Sequence, residues 1–310
     1  MRAIAFDAFG AEPAALDLPV PEAGPGEVLV RVRNSSVNGF DLGALGGYLR
    51  GVYEYEFPVV PGKDFAGTIA AIGPGAEGFG VGDEVFGVVM RPTLGQGGWS
   101  EYVAVPAGYG VAALPVGVDH ATAGALGLAG TAALNSVDAV AVLPGETVLI
   151  SGATGGVGAI AVQLAAARGA TVLATARPGA EAEFVTRLGA THVVDRTAGL
   201  DAQVRAIAPD GVHAALHFAG DGAAVAETVR AGGRFASTVH FAPDDAAERD
   251  IKATVIMSDP SRDTLTRLAG QVAEGLLVVP IAARYPLAET PRAVADFTAG
   301  TLGKLGIDID

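Results

Sequence analysis

Residues 148–179 read "VLISGATGGVGAIAVQLAAARGATVLATARPG". Within them Gly152, Gly155 and Gly158 form G-x-x-G-x-x-G, with Gly156 and Val157 between the last two. Glycine permits a tight turn, lets backbone N–H groups approach a bound anion, and lets a helix lie close against a strand. At the positive N-terminal end of a helix such a turn holds a pyrophosphate. The preceding "TVLIS" reads as a buried strand, and Val157, Ile160 and Leu164 share one helical face. Strand, turn and helix therefore come in the order of a dinucleotide-binding fingerprint, which a plain glycine-rich turn in a chain with 44 Gly would not require. In NAD-selective versions an acid about 20 residues on binds the ribose 2′-hydroxyl. Here "ATVLATARPG" carries no acid before Glu181. It offers Thr175 and Arg177 instead, a hydroxyl and a guanidinium suited to a 2′-phosphate. The expected cofactor is NADPH, the reduced form of NADP. A solvated turn residue is the alternative for Arg177, and Arg196 has the weaker claim on the phosphate.

The elements that must position this turn differ along the chain. The first 115 or so residues are punctuated by Pro and Gly and hold short β-rich runs such as "GEVLVRVRNSSV" and "DFAGTIAAIG", the spacing of an all-β module. From Val148 short apolar runs alternate with helical stretches, which predicts βαβ units on a parallel sheet. After Gly275 "LLVVPIAARYPL", "ETPRAVADFTAG" and "KLGIDID" are too little to fold alone and are expected to pack back on the first domain.

A chain of 310 residues allows two ordinary domains, each with its own core. Half the residues are hydrophobic, yet no uncharged apolar run reaches the roughly 18 to 20 residues of a membrane span without dense Gly, Asn or Asp. The start "MRAIAFDAFG" shows no secretory signal, so a cytoplasmic address is the default expectation. With no Cys there is no disulfide framework and no thiolate chemistry. The net charge of −14 repels nucleic acid and anionic membrane surfaces, so neither is expected as a partner.

With the glycine turn in place, the segments "PGEVLVRV", "NGFDLGALGGY", "FPVVPGKDFAGTIAAIGPG", "VGDEVFG", "GGWSEYVAVPA", "LGLAGTAAL", "GATGGVGAIAVQLA", "LGATHVVD" and "GKLGIDI" come in an order that resembles the medium-chain dehydrogenase/reductase superfamily. Within it the chain is most similar to the zinc-free quinone oxidoreductase branch, over nearly its whole length. The resemblance implies an α/β protein with a GroES-like, β-rich substrate domain (1–120 and 276–310) and a Rossmann-type, doubly wound parallel sheet for NADPH (121–275). It implies an active site in the cleft between them. It carries over Thr131, Gly155, Gly156, Val157, Phe218, Ala219, Gly220 and Lys304 as cofactor contacts, although Thr131 can equally pack a helix and Lys304 can be solvated. His240, at the carboxyl edge of the expected fifth strand, is assigned to the same cleft. His192, His213 and His217 read as strand or strand-end residues. Relatives pair through a sixth strand, and "KATVIM", 252–257, is the matching segment, so a homodimer is expected.

The departures from the alcohol-dehydrogenase pattern define the expected chemistry. That pattern ligates catalytic zinc through Cys, the His of a Gly-His-Glu segment, and a second Cys, whereas this chain has no Cys and reads Gly62-Lys63-Asp64. No metal site is expected. Without a Lewis acid a simple alcohol is a poor substrate, and a quinone or α,β-unsaturated carbonyl is easier to reduce by hydride. In related reductases Asn38 to Asp41 would lie beside the nicotinamide and a following tyrosine would face substrate. Asn38 and Tyr48 are the expected catalytic residues, with Tyr53 or Tyr55 as alternatives to Tyr48. The spacing from Asn38 to Tyr48 is one residue shorter than in thioester reductases, and the tyrosines can equally form a loop wall. Asp41 reads as a helix cap and Trp99 as core. An enoyl-thioester or biosynthetic tailoring C=C reductase is the second reading, and a nonenzymatic NADPH-binding protein the third.

Overall fold

The computed structural model describes residues 1–310. They form two units, Met1–Ala129 with Pro260–Asp310, and Gly130–Asp259. The first unit opens with β1 (Arg2–Ala5), β2 (Ala14–Asp17) and β3 (Glu27–Ser36), followed by α1 (Gly39–Leu45) and β4 (Glu54–Tyr55). The chain continues through β5 (Asp64–Ile72), β6 (Glu84–Val88), β7 (Thr93–Leu94), β8 (Tyr102–Pro106), β9 (Val111–Ala113) and α2 (His120–Ala123). Helix α3 (Gly127–Ala139) then carries the chain into the second unit.

Strand β3 shows how the sequence builds the first unit. Val28, Val30 and Val32 alternate into the core while Arg31 and Arg33 stay exposed, the period of two that a strand imposes. Each such valine contributes roughly 1.5 to 3 kcal/mol of apolar burial. Trp99, expected in the core, is fully buried, and its indole N–H donates to the Ser36 carbonyl at 3.0 Å.

The second unit contains β10 (Thr147–Ser151), α4 (Gly156–Ala167), β11 (Thr171–Ala176), α5 (Ala180–Arg187), β12 (His192–Asp195) and α6 (Leu200–Ile207). It ends with β13 (Val212–His217), α7 (Gly222–Glu227), β14 (Val229–Ser237) and β15 (Lys252–Val255). Its six strands are parallel, in the order β12-β11-β10-β13-β14-β15. Strands β10, β11 and β13 are apolar and buried almost throughout, because helices cover both faces of such sheets. The order reverses between β10 and β13, and at such a switch point a crevice opens outside the carboxyl ends of the strands.

The chain then returns to the first unit through α8 (Arg262–Ala273), β16 (Ile281–Pro286), α9 (Thr290–Ala299) and β17 (Lys304–Asp308). Residues 260–275, expected with the cofactor sheet, instead belong to the first unit: α8 packs on β9, and the Arg262 guanidinium donates to the Ala107 carbonyl at 2.8 Å. Residues 121–129 lie there too. Strand β17 pairs antiparallel with β3, Gly306 opposite Ser36 and Asp308 opposite Asn34, within a seven-stranded sheet ordered β16-β17-β3-β5-β6-β9 to which β8 adds beside β3. This pairing fixes Lys304 beside residues 37 and 38. No helix is long and apolar enough to cross a membrane.

Candidate cofactor turn and a buried charge network

The glycine turn joins β10 to α4, with Gly155 as the helix N-cap. Gly152 has φ +74°, in the left-handed region, and a Cβ there would stand 3.0 Å from the Ala219 nitrogen. At Gly158 a Cβ would stand 2.2 Å from the Gly152 carbonyl oxygen, so only glycine lets α4 approach the turn this closely. At Gly155 a Cβ would meet nothing nearer than 3.5 Å. That side of the turn is open, and the first N–H groups of α4, including those of Gly156 and Val157, have no acceptor within the helix. They point a positive dipole end at whatever binds there.

The Phe218–Gly220 loop, just after β13, is tied to the same turn. The Phe218 N–H donates to the Ser151 carbonyl at 3.1 Å, and the Ser151 hydroxyl donates to the Ala219 carbonyl at 2.5 Å. His217, buried at the end of its strand, spans the Ser237 hydroxyl and the Gly220 carbonyl, each at 3.1 Å. His192 and His213 also lie in strands, as expected. Thr131 is fully buried in α3, and its hydroxyl has no partner. Leaving such a group unpaired costs about 1 to 3 kcal/mol, which a polar ligand atom would recover. An open glycine turn with free amide N–H groups fits a bound dinucleotide.

Two of the residues assigned to the cofactor sit differently. Thr175 is buried, and its Oγ1 accepts the Gly152 N–H at 3.1 Å, so it supports the turn from within the sheet rather than standing at the surface. His240 lies three residues beyond the end of β14, exposed, with φ +55°. It thus sits in the loop that leaves the carboxyl end of β14 rather than in the strand itself.

Arg177 stands just past the end of β11, where a 2′-phosphate was expected, but it is not alone. Its backbone N–H and its Nε each donate to Glu181 at 2.7 Å, and Arg196 donates to the same carboxylate from Nε at 3.3 Å and from its terminal nitrogen at 3.2 Å. The two arginine side chains are 61% and 47% exposed, whereas that of Glu181 is 11% exposed. Partial burial pushes the Glu181 carboxyl up, but the hydrogen bonds from Arg196 and Arg177 outweigh it and hold the group down at about 2. Glu181 joins the two arginines, and the Arg-x-x-x-Glu spacing at the start of α5 is the sequence signal of that pairing.

In the first unit four charged side chains are buried together. The Asp64 carboxylate accepts the Ser36 hydroxyl at 2.5 Å, the Asn38 amide at 2.9 Å, the Leu128 N–H at 2.7 Å and the Lys304 ammonium at 3.3 Å. Lys304 completes its set with the Asn38 amide oxygen at 2.5 Å and the Val37 carbonyl at 3.2 Å. Asp41 accepts the N–H groups of Asn38 at 2.9 Å, Gly62 at 3.1 Å and Lys63 at 3.0 Å. It thus caps α1 from inside the first turn. Burial, then the charge of Asp64, pushes Asp41 up to about 6. The Lys63 ammonium donates to the Val89 carbonyl at 2.5 Å above the Phe40 ring, and burial brings it down to about 8. Lys63, Asp41, Arg91 and Gln96 help wall a recess of about 20 Å³, room for about one water molecule.

This network corrects two assignments. Lys304 is buried with all three ammonium protons engaged, so it has none to give a cofactor, and it is not solvated either. Asn38 likewise spends its amide on Asp64 and Lys304, which makes it a positioning residue at the start of α1. Tyr48, in the turn after α1, is 84% exposed. The Tyr55 hydroxyl is bound to the Ala44 carbonyl at 3.2 Å and the Tyr53 ring packs edge-on against Phe40, so Tyr48 is the tyrosine whose ring stands in solvent. Lys63 was legible only as a departure from Gly-His-Glu; its burial was not.

Comparison with known proteins agrees with this architecture. Residues 24–116 match the alcohol dehydrogenase GroES-like domain, and residues 156–263 match the family described as zinc-binding dehydrogenase. A mycocerosic acid synthase-like polyketide synthase of Mycolicibacterium smegmatis is 32% identical over 92% of this chain, which spans 14% of that protein. The chloroplastic quinone-oxidoreductase QR1 of Triphysaria versicolor is 34% identical over 63% of this chain and 61% of its own length. The quinone oxidoreductase structure from Coxiella burnetii superimposes with a TM-score of 0.90 at 25% identity, covering 100% of this chain and 99% of that one. A GroES-like domain, a parallel nucleotide-binding sheet and these relatives together make the chain a member of the medium-chain dehydrogenase/reductase superfamily, in its quinone oxidoreductase branch.

Proposed function

We propose that this oxidoreductase uses NADPH to reduce a quinone or an α,β-unsaturated carbonyl without a metal. The observation that carries the reading is the open glycine turn with Arg177 just past the end of β11 and Arg196 just past the end of β12. The N–H groups of Gly156 and Val157 would hold the pyrophosphate, the Thr131 hydroxyl a polar group of the nicotinamide half, and the two arginines the 2′-phosphate. A bound nicotinamide cofactor supplies the hydride. The exposed Tyr48 hydroxyl would donate a hydrogen bond, and then its proton, to the oxygen that becomes an enolate or hydroquinone. The buried Asn38–Asp64–Lys304 network fixes the start of α1 and, through it, the turn that carries Tyr48.

Lys63 stands where the zinc-dependent pattern has its histidine and puts an ammonium there, bound to a backbone carbonyl. This supports reduction of substrates that are already electrophilic. NADPH absorbance should fall with a panel of quinones and enones. Turnover of saturated alcohols with NADP, but of no quinone, enone or enoyl thioester, would defeat the reaction class. Similarity to a segment of a polyketide synthase favours the second reading, reduction of a C=C bond in an acyl thioester. Preference for enoyl thioesters in the same panel would decide for it. Strand β15 is an edge of its sheet, with Val255 and Met257 exposed nearby. This supports a homodimer joined there, which a monomeric mass by light scattering at micromolar concentration would refute.

A further inference from the structure

We infer that Glu181 is a specificity-determining residue: an internal anion that lets one site accept both a 2′-phosphorylated and an unphosphorylated ribose and sets the ratio between them. The inference rests on the reading that an adenine dinucleotide lies on the glycine turn.

The carboxylate of Glu181 already occupies the guanidinium faces that a 2′-phosphate would use. Arg177 binds Oε1 through Nε and the terminal nitrogen, at 2.7 and 2.6 Å, and Arg196 donates to Oε2 at 3.3 Å and to Oε1 at 3.2 Å. Asp195, next to Arg196, adds a second carboxylate within electrostatic reach, so two cations face two anions and little net positive charge is left to receive a dianion. An arriving phosphate must draw the arginines off the carboxylate, and their exposure allows that movement. Glu181 cannot leave as easily, because its side chain is only 11% exposed and its Oε2 also accepts the Arg177 backbone N–H at 2.7 Å. It therefore stays beside the bound phosphate as a like charge. The same arrangement serves a ribose without phosphate, because the carboxylate can accept a hydrogen bond from its 2′-hydroxyl, the role an acid plays at the end of this strand in NAD-selective sites. Glu181 reaches that place from the first turn of α5 instead of from the strand itself.

The test uses ligands that need no turnover. Binding of 2′,5′-ADP and of 5′-AMP to the full chain is measured by calorimetry for the parent, Glu181→Gln, Glu181→Ala and Arg177→Ala. Glu181→Gln keeps the side chain's shape and one acceptor while removing the charge. It should raise the ratio of 2′,5′-ADP to 5′-AMP affinity by about fivefold, the scale of one partly exposed charge pair. Glu181→Ala should raise it too, and should weaken 5′-AMP. An unchanged or lowered ratio in both glutamate variants, with Arg177→Ala still narrowing it, would overturn the role of Glu181 alone. A parent that does not distinguish the two ligands, together with an indifferent Arg177→Ala, would overturn both this inference and the NADPH reading.

Discussion

Replacing Lys304 by Met would remove the one cation that touches Asp64 while keeping the length and apolar stem of the side chain. The two partners are 2% and 0% exposed, so the loss cannot be made good by solvent. Breaking a buried pair from one side costs about 3 to 5 kcal/mol, because the remaining charge stays buried. Here the remaining charge also faces Asp41, which burial and Asp64 already hold at about 6, above its ordinary 3.8, with Lys304 acting to lower it. A carboxyl raised in the folded state contributes stability below its unfolded value and loses it as pH rises through its folded value. Removing Lys304 raises Asp41 further, so the variant's deficit is largest above about pH 6 and should be about 1 to 2 kcal/mol smaller at pH 5. Urea unfolding followed by tryptophan fluorescence suits the measurement. Trp99 is the chain's single tryptophan, lies in the same unit, and donates to Ser36, whose hydroxyl in turn donates to Asp64. Adding Asp64→Asn should restore part of the loss. A deficit below about 1 kcal/mol at pH 7, or one equally large at pH 5, would refute the claim that these charges are held in a balanced, buried cluster.

Gly158→Ala should abolish dinucleotide binding, since its Cβ would lie 2.2 Å from the Gly152 carbonyl; fluorescence titration with NADPH checks this, and parent-like affinity would contradict the close approach. Tyr48→Phe should slow enone reduction by about 100-fold or more and quinone reduction far less, because general acid catalysis contributes about 100-fold to 10,000-fold and a quinone is the stronger electrophile; equal rates for parent and variant on both would remove Tyr48 as donor. Dialysis against a chelator should leave activity intact, and stoichiometric zinc whose removal abolishes activity would overturn the metal-free chemistry.

Local patterns carried most of what could be read from the sequence. "TVLISGATGGVG" announces its strand, turn and helix within a dozen residues, and the buried runs of β11 and β13 follow from composition alone. What escaped depends on partners far away in the chain. The amphipathic 262–273 stretch is recognisable as a helix, but nothing within it says that its apolar face belongs on β9. Lys304 looks like any terminal lysine until β17 pairs with β3 and brings it to Asp64, 240 residues earlier. Asn38 was found as a polar residue near the chemistry; that its amide is fully spent on structure is a property of the fold. Glu181 lies outside the strand pattern, because the helix that follows, not the strand, supplies the acid.

That 240-residue separation has a consequence for how the chain is assembled. Until residues 304–308 arrive, the sheet lacks β17 and Asp64 lacks its cation, so the first unit cannot close around its charges however early its other strands are made. The second unit is a single continuous segment, and its βαβ pairs close over short loops. Long-range closure is slow relative to local pairing. During synthesis the nucleotide-binding sheet should therefore mature first, as an insertion within a half-built partner, and the last strand should act as the latch that commits the first unit to its native state.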